Sequence, residues 1–163
     1  MERGEALDCT SDRRISVAEL EECAAAQGVS FEVGDVLLLR TGWTEWYEGL
    51  DERERVALAN MATFRAPGIA AGEAMAEYLW NLHICAIASD LPSVEAWPPR
   101  REHGGFLHEW LLGMFGIAIG ELWDLSRLAA DCADDGRYEV FLVSAPLNKL
   151  GGIGSPPNAI AFK

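Results

Sequence analysis

An α/β fold is what the sequence predicts, on three observations. Short apolar runs of strand length, among them VLLL at 36–39 and ICAIAS at 84–89, alternate with longer stretches of helical periodicity. Glycine and proline clusters, such as Gly34-Asp35, Pro67-Gly68 and GGIGSPP at 151–157, punctuate the boundaries between them. With 163 residues, 50% hydrophobic and 24% charged, the chain has the apolar material for one core and a single domain over 1–163.

Taken in order, the first element is a helix within ISVAELEECAAAQG (15–28). Ser16 followed three residues later by Glu19 is a capping box, Ile15 and Leu20 are spaced as a hydrophobic staple, and Gly28 supplies the stop. FEVGDVLLLRTGW (31–43) reads as a turn at Gly34-Asp35 and then a buried strand from Val36 to Arg40. YEGLDERERVALANMATF (47–64) is a polar helical excursion, and Pro67-Gly68 breaks the chain before a second amphipathic helix in AAGEAMAEYLWNLH (70–83). A fully buried strand over Ile84 to Ser89 follows, then a long loop, DLPSVEAWPPRREHGG (90–105). A short helix from His108, a strand near Ile117 to Ile119 and a helix from about Asp124 come next. Strands within YEVFLVSAPLN (138–148) and NAIAFK (158–163), joined by a glycine- and proline-rich turn, close the chain.

Composition excludes several functions. A formal net charge of −13 argues against nucleic acid or an anionic membrane as partner, since both require concentrated Lys and Arg. The apolar run around Trp110 to Ile119 is too short to span a bilayer, and the opening residues carry no secretory apolar stretch, so a cytoplasmic location is expected. Four scattered cysteines (Cys9, Cys23, Cys85, Cys132) without a C-x-x-C pair read as reduced, mostly buried thiols.

The chemistry-bearing residues are few. GGIGSPP is no phosphate loop, because no Lys-Ser or Lys-Thr follows and Pro156-Pro157 dictates an extended exit. There is no G-x-S-x-G elbow for a serine nucleophile. What remains is an acid-and-imidazole set: Asp90, Glu95, His103, His108 and Glu121. Imidazole and carboxylate are the usual ligands of a hydrolytic zinc or manganese ion. Equally, a histidine at a helix start is commonly a cap, and a buried acid can be satisfied by hydrogen bonds alone. Spacing leaves both readings open; His83, between an amphipathic helix and a buried strand, is read as structural.

Four stretches resemble a known family: GDVLLLRTGW (34–43), PGIAAGEAMAEYLWNLHICAIASDLPSVEAWP (67–98), HEWLLGMFGIAIGELWDL (108–125) and SAPLNKLGGIGSPPNAIAF (144–162). In this order they are similar to the C-terminal part of the cyclase family that includes the bacterial kynurenine formamidases of tryptophan catabolism, particularly its longer fungal-type branch. The resemblance implies a swivelling β/β/α fold and metal-dependent hydrolysis of an amide, formamide or lactone-like bond in a small-molecule substrate. It implies that His108 and Glu121 face a zinc or manganese site as ligands or proton-transfer groups. It places Asp90 and Glu95 on a loop beside that site, as catalytic or orienting groups. The family's H-x-G-T-H-x-D metal-binding run has no counterpart in this chain, so a truncated, weakly active or inactive form is expected. The alternative is a non-catalytic remnant serving as a binding or structural module. Apolar surface that the family's N-terminal segment would cover predicts a homo-oligomer, with Trp43, Trp46, Trp97 and Trp110 beside the site loops.

Overall fold

The computed structural model describes residues 6–100 and 105–163. The first element is a two-residue strand, β1 (Arg14–Ile15), followed by helix α1 (Val17–Gln27). Ser16 caps α1 by accepting from the Glu19 N–H while the Glu19 side chain accepts from the Ser16 N–H, and Gly28 ends the helix in the left-handed region at φ 69°. The capping box and the stop expected from the sequence are therefore both present, because each depends only on neighbours within a few residues.

Strand β2 (Val36–Leu39) leads into two short helices, α2 (Trp43–Glu48) and α3 (Glu52–Leu58), the latter opened by a second capping box at Asp51 and Glu54. Strand β3 (Gly68–Ile69), helix α4 (Glu73–Asn81) and strand β4 (Ala86–Ser89) follow, then a π-helix (Glu109–Phe115) and strand β5 (Ala118–Gly120). Helix α5 (Ser126–Asp135) and the strands β6 (Phe141–Val143) and β7 (Ile160–Phe162) complete the described chain.

The central sheet is parallel, in the order β2-β4-β5, with Val36 opposite Ala86 and Ala86 opposite Ala118. β1 pairs with β3 in parallel, and β6 with β7 antiparallel, Phe141 standing opposite Phe162. The main core sits where α1, α4 and the π-helix meet the central sheet: Leu20, Met75, Leu79, Ile87, Leu107 and Leu111 are all buried there. A smaller cluster joins Cys9, Trp43 and Leu91, packed by Trp46, Tyr47 and Phe64. Trp43 stacks on Tyr47 with ring centroids 5.2 Å apart.

Three expectations need correction. The buried strand expected from Val36 to Arg40 ends at Leu39, and all four residues of β2 are half-buried, because β2 is the outer strand of its sheet. Cys9 and Cys132 are buried, but Cys23 and Cys85 are exposed; all four are free thiols. Pro67-Gly68 does not simply break the chain. Gly68 begins β3, and its missing side chain lets the backbone of Glu95 and Ala96 pass where a Cβ would collide with it. Among the described residues no helix is long and apolar enough to cross a membrane.

Candidate functional site

Parallel pairing puts the carboxyl ends of β2, β4 and β5 at one edge of the sheet, where α/β proteins commonly place their ligands. Three segments leave from that edge: Thr41-Gly42 after β2, the loop from Asp90 to Glu95 after β4, and Glu121 directly after β5. The loop from β4 is held firmly. Ile69 and Glu95 form an isolated parallel bridge, and Ala66 and Trp97 an antiparallel one, so the segment carrying Glu95 runs beside β3 as an irregular extra strand.

His108 stands between two acids. Its Nδ1 lies 2.8 Å from Oε2 of Glu95, and its Nε2 lies 3.2 Å from Oε1 of Glu121. Glu95 also accepts the His108 backbone N–H at 3.3 Å and the Ser93 hydroxyl at 3.5 Å, and its side chain has no solvent exposure. Glu121 is partly exposed and accepts the Val94 N–H through the same Oε1, at 3.0 Å. Burial works against a charged ring, but the hydrogen bonds to Glu121 and Glu95, reinforced by both charges, prevail and push the His108 pKa up to about 9. At neutral pH the group is thus a carboxylate–imidazolium–carboxylate triad, buried at one end and open at the other.

Two features that orient the triad had no signal in the sequence. Phe106 stacks on the His108 ring, centroids 4.5 Å apart and planes within 4°, and Trp97 meets Phe106 edge-on at 6.5 Å. Leu122 adopts φ 56°, a left-handed conformation that a bulky residue rarely takes, with its side chain exposed. Its N–H donates to the Leu91 carbonyl and that of Trp123 to the Ser89 carbonyl, turning the chain back over the end of β4 directly after Glu121. An unpaired imidazole–aromatic contact and a non-glycine left-handed residue leave no pattern in composition or spacing.

Asp90 is placed apart from the triad. One oxygen accepts the Thr41 N–H and hydroxyl, at 2.8 Å and 2.7 Å, and the other accepts the Gly42 N–H at 2.6 Å. Both oxygens are thereby directed to the turn after β2 rather than to His108. His83 closes α4, its N–H donating to Trp80 and its carbonyl accepting from Gly34, in line with a structural role. His103 lies outside the described residues.

Of the residues read as metal ligands, His108 and Glu121 are brought together, and both are of the right donor type. Glu95 on Nδ1 is the outer carboxylate that usually accompanies a metal-bound histidine, leaving Nε2 as the donor. An open hydrolytic site usually keeps three protein ligands, however. Among the described residues no group of three or more His, Cys, Asp or Glu is placed to hold an ion. The donor types fit a divalent ion, and among the described residues the donor count falls short of three.

The family described as "Putative cyclase" matches residues 1–96. Four chains of solved structures are similar to this one. One of them, a crystal structure described as a novel cyclase, is 35% identical with a TM-score of 0.82, over 99% of this chain and 50% of that chain. The chain therefore spans half the length of that solved relative. No curated protein matches. A family match over more than half of the sequence, together with a fold shared over 99% of the chain, shows that this chain belongs to the cyclase family.

Proposed function

We propose that the Glu95–His108–Glu121 triad is the proton-handling part of a hydrolytic site acting on an amide, formamide or lactone-like bond, as in the arylformamidase-type members of the family. The observation that carries the reading is an imidazole with a carboxylate on each nitrogen at the carboxyl end of a parallel sheet. Hydrolysis of such a bond requires a proton to be taken from water and another delivered to the leaving group. Glu95, without solvent contact, fixes Nδ1 and so makes Nε2 the working nitrogen. Nε2 then exchanges its proton with Glu121, or with a reacting group that enters beside it from the exposed side. Phe106 holds the ring in the plane that serves both acids.

Were a zinc or manganese ion bound, as in the family-type reaction, His108 and Glu121 are the donors this chain would offer, with Nε2 then giving its lone pair to the ion in place of holding a proton. Two donors fall short of three, so no step is derived through the ion. The test is hydrolysis of an aryl formamide by the purified chain with added zinc or manganese. Turnover that is lost to chelator, to His108→Ala and to Glu121→Gln supports the reading. A folded chain that takes up no ion and turns over nothing favours the second reading, a binding module on the same scaffold, which the low donor count already supports.

A further inference from the structure

The chain from 141 to 162 forms one long hairpin. β6 and β7 pair with Phe141 opposite Phe162 and Val143 opposite Ile160. Beyond the strands the two limbs stay together: the Ala145 N–H donates to the Pro157 carbonyl, the Asn158 side chain to the Ala145 carbonyl, and the Leu147 N–H to the Ser155 hydroxyl. In such a ribbon, residues directly opposite one another share a face, and successive residues alternate between faces. One face therefore carries Leu142, Ala161 and, two residues further on, Lys163. Nζ of Lys163 reaches Asp131 and Asp135 of α5 at 3.1 Å and 2.7 Å, so this face is turned to α5. The other face carries Phe141, Val143, Ile160 and Phe162, between 42% and 69% exposed, with the two rings 6.1 Å apart. Leu150 and Ile153, near the tip, are fully exposed.

We propose that this apolar face packs against the same face of a second copy of the chain, about a two-fold axis. A two-stranded ribbon is marginal in water unless packing against something else supports it. Charge selects the occupant. Residues 137–163 hold three basic residues and one acidic, whereas residues 1–136 hold ten basic and twenty-five acidic. Bodies so acidic repel each other, and the hairpin is a long segment free of that excess, so two copies meet there at the least electrostatic cost. The area suffices. With roughly 150–200 Å² for a fully open apolar side chain, the six named above offer on the order of 700 Å² per copy, against the ~800 Å² that each partner of a standard interface buries. A contact of identical patches about a two-fold is also the commonest arrangement among soluble oligomers. The inference is independent of the hydrolytic reading, because no member of the triad belongs to the hairpin.

The test is sedimentation equilibrium of the purified chain, from low to high micromolar concentration and at low and high salt. A dimer with a micromolar dissociation constant is expected, and added salt is expected to tighten it, because screening relieves the repulsion between the acidic bodies. Phe141→Glu and Ile160→Glu each charge the proposed contact and leave Leu142 and Ala161 in place. Each is expected to weaken dimerisation at least tenfold in a chain whose far-ultraviolet spectrum is unchanged. Val56→Glu makes the same change of charge at an exposed apolar position on α3 and is expected to leave the dimer as it was. A monomer at every concentration overturns the proposal, whatever else covers the face in its place. A dimer that salt dissociates overturns it too, as does one that both hairpin variants tolerate or that Val56→Glu weakens equally.

Discussion

Nδ1 of His108 lies 2.8 Å from Oε2 of Glu95, a carboxylate wholly removed from solvent. Glu95, without solvent contact, has that imidazole as its charge partner. A buried carboxylate whose cation is removed loses far more than the pair contributes on balance, because its desolvation is no longer offset. His108→Ala is therefore expected to destabilise the fold by about 3–5 kcal/mol. Adding Glu95→Gln to that variant is expected to restore part of the loss. Urea denaturation of the two single variants and the double variant measures the coupling, and strict additivity would contradict the pairing.

Stability should decline in mildly alkaline solution. The folded-state pKa of His108, about 9, lies above its ordinary 6.5, so folding is favoured by the proton it retains. That contribution is fully present below pH 6.5 and disappears as pH rises through 9. Glu121→Gln removes one of the two acids holding the proton and is expected to narrow this window. Urea midpoints collected across the interval, for the parent and the variant, give the comparison.

Gly68→Ala should be costly although the position is small and apolar. Its added methyl would meet the Glu95 carbonyl oxygen at 2.8 Å and the adjoining backbone closer still. Backbone cannot rotate away as a side-chain tip can. Overpacking of this kind costs about 1–3 kcal/mol, and the displacement falls on the segment that carries Glu95. The expected result is a lower melting temperature together with a changed His108 ring environment in the NMR spectrum.

Asp90→Asn tests the separation of Asp90 from the triad. The amide keeps one acceptor oxygen but puts an NH₂ against one of the two N–H groups, that of Thr41 or that of Gly42, each of which now faces its own carboxylate oxygen. A loss of about 1.5–3 kcal/mol is expected from the weakened charge-assisted bonds. The pKa of His108, read by NMR, is expected to stay unchanged; a fall would tie Asp90 to the site electrostatically.

What the sequence conveyed about the fold was its local grammar. Ser16, Glu19 and Gly28 bound α1 through contacts within a turn of helix, and those contacts can be read without knowing the rest of the chain. The pairing of Arg14–Ile15 with Gly68–Ile69 could not, since two residues carry no periodicity and their partners lie more than fifty positions away. VLLL at 36–39 illustrates a different limit: an apolar run is equally suited to the middle of a sheet and to an edge beside an apolar groove. At the site, His108 and Glu121 were visible as polar residues around an apolar run, and they do meet. Asp90 and Glu95, five positions apart in one loop, looked equivalent, yet one clamps a turn and the other holds an imidazole. Only the path of the backbone separates those roles.

The left-handed turn at Leu122 has an implication for the tolerance of that codon to change. Its side chain is open to solvent, so hydrophobicity is not what the position demands; a backbone that bends at φ 56° is. In a library randomised at this one site and sorted for folded protein, glycine and asparagine should outcompete leucine, while valine and isoleucine, whose branched Cβ resists that bend, should vanish. Survival would then track the torsional freedom of the incoming residue and ignore its polarity.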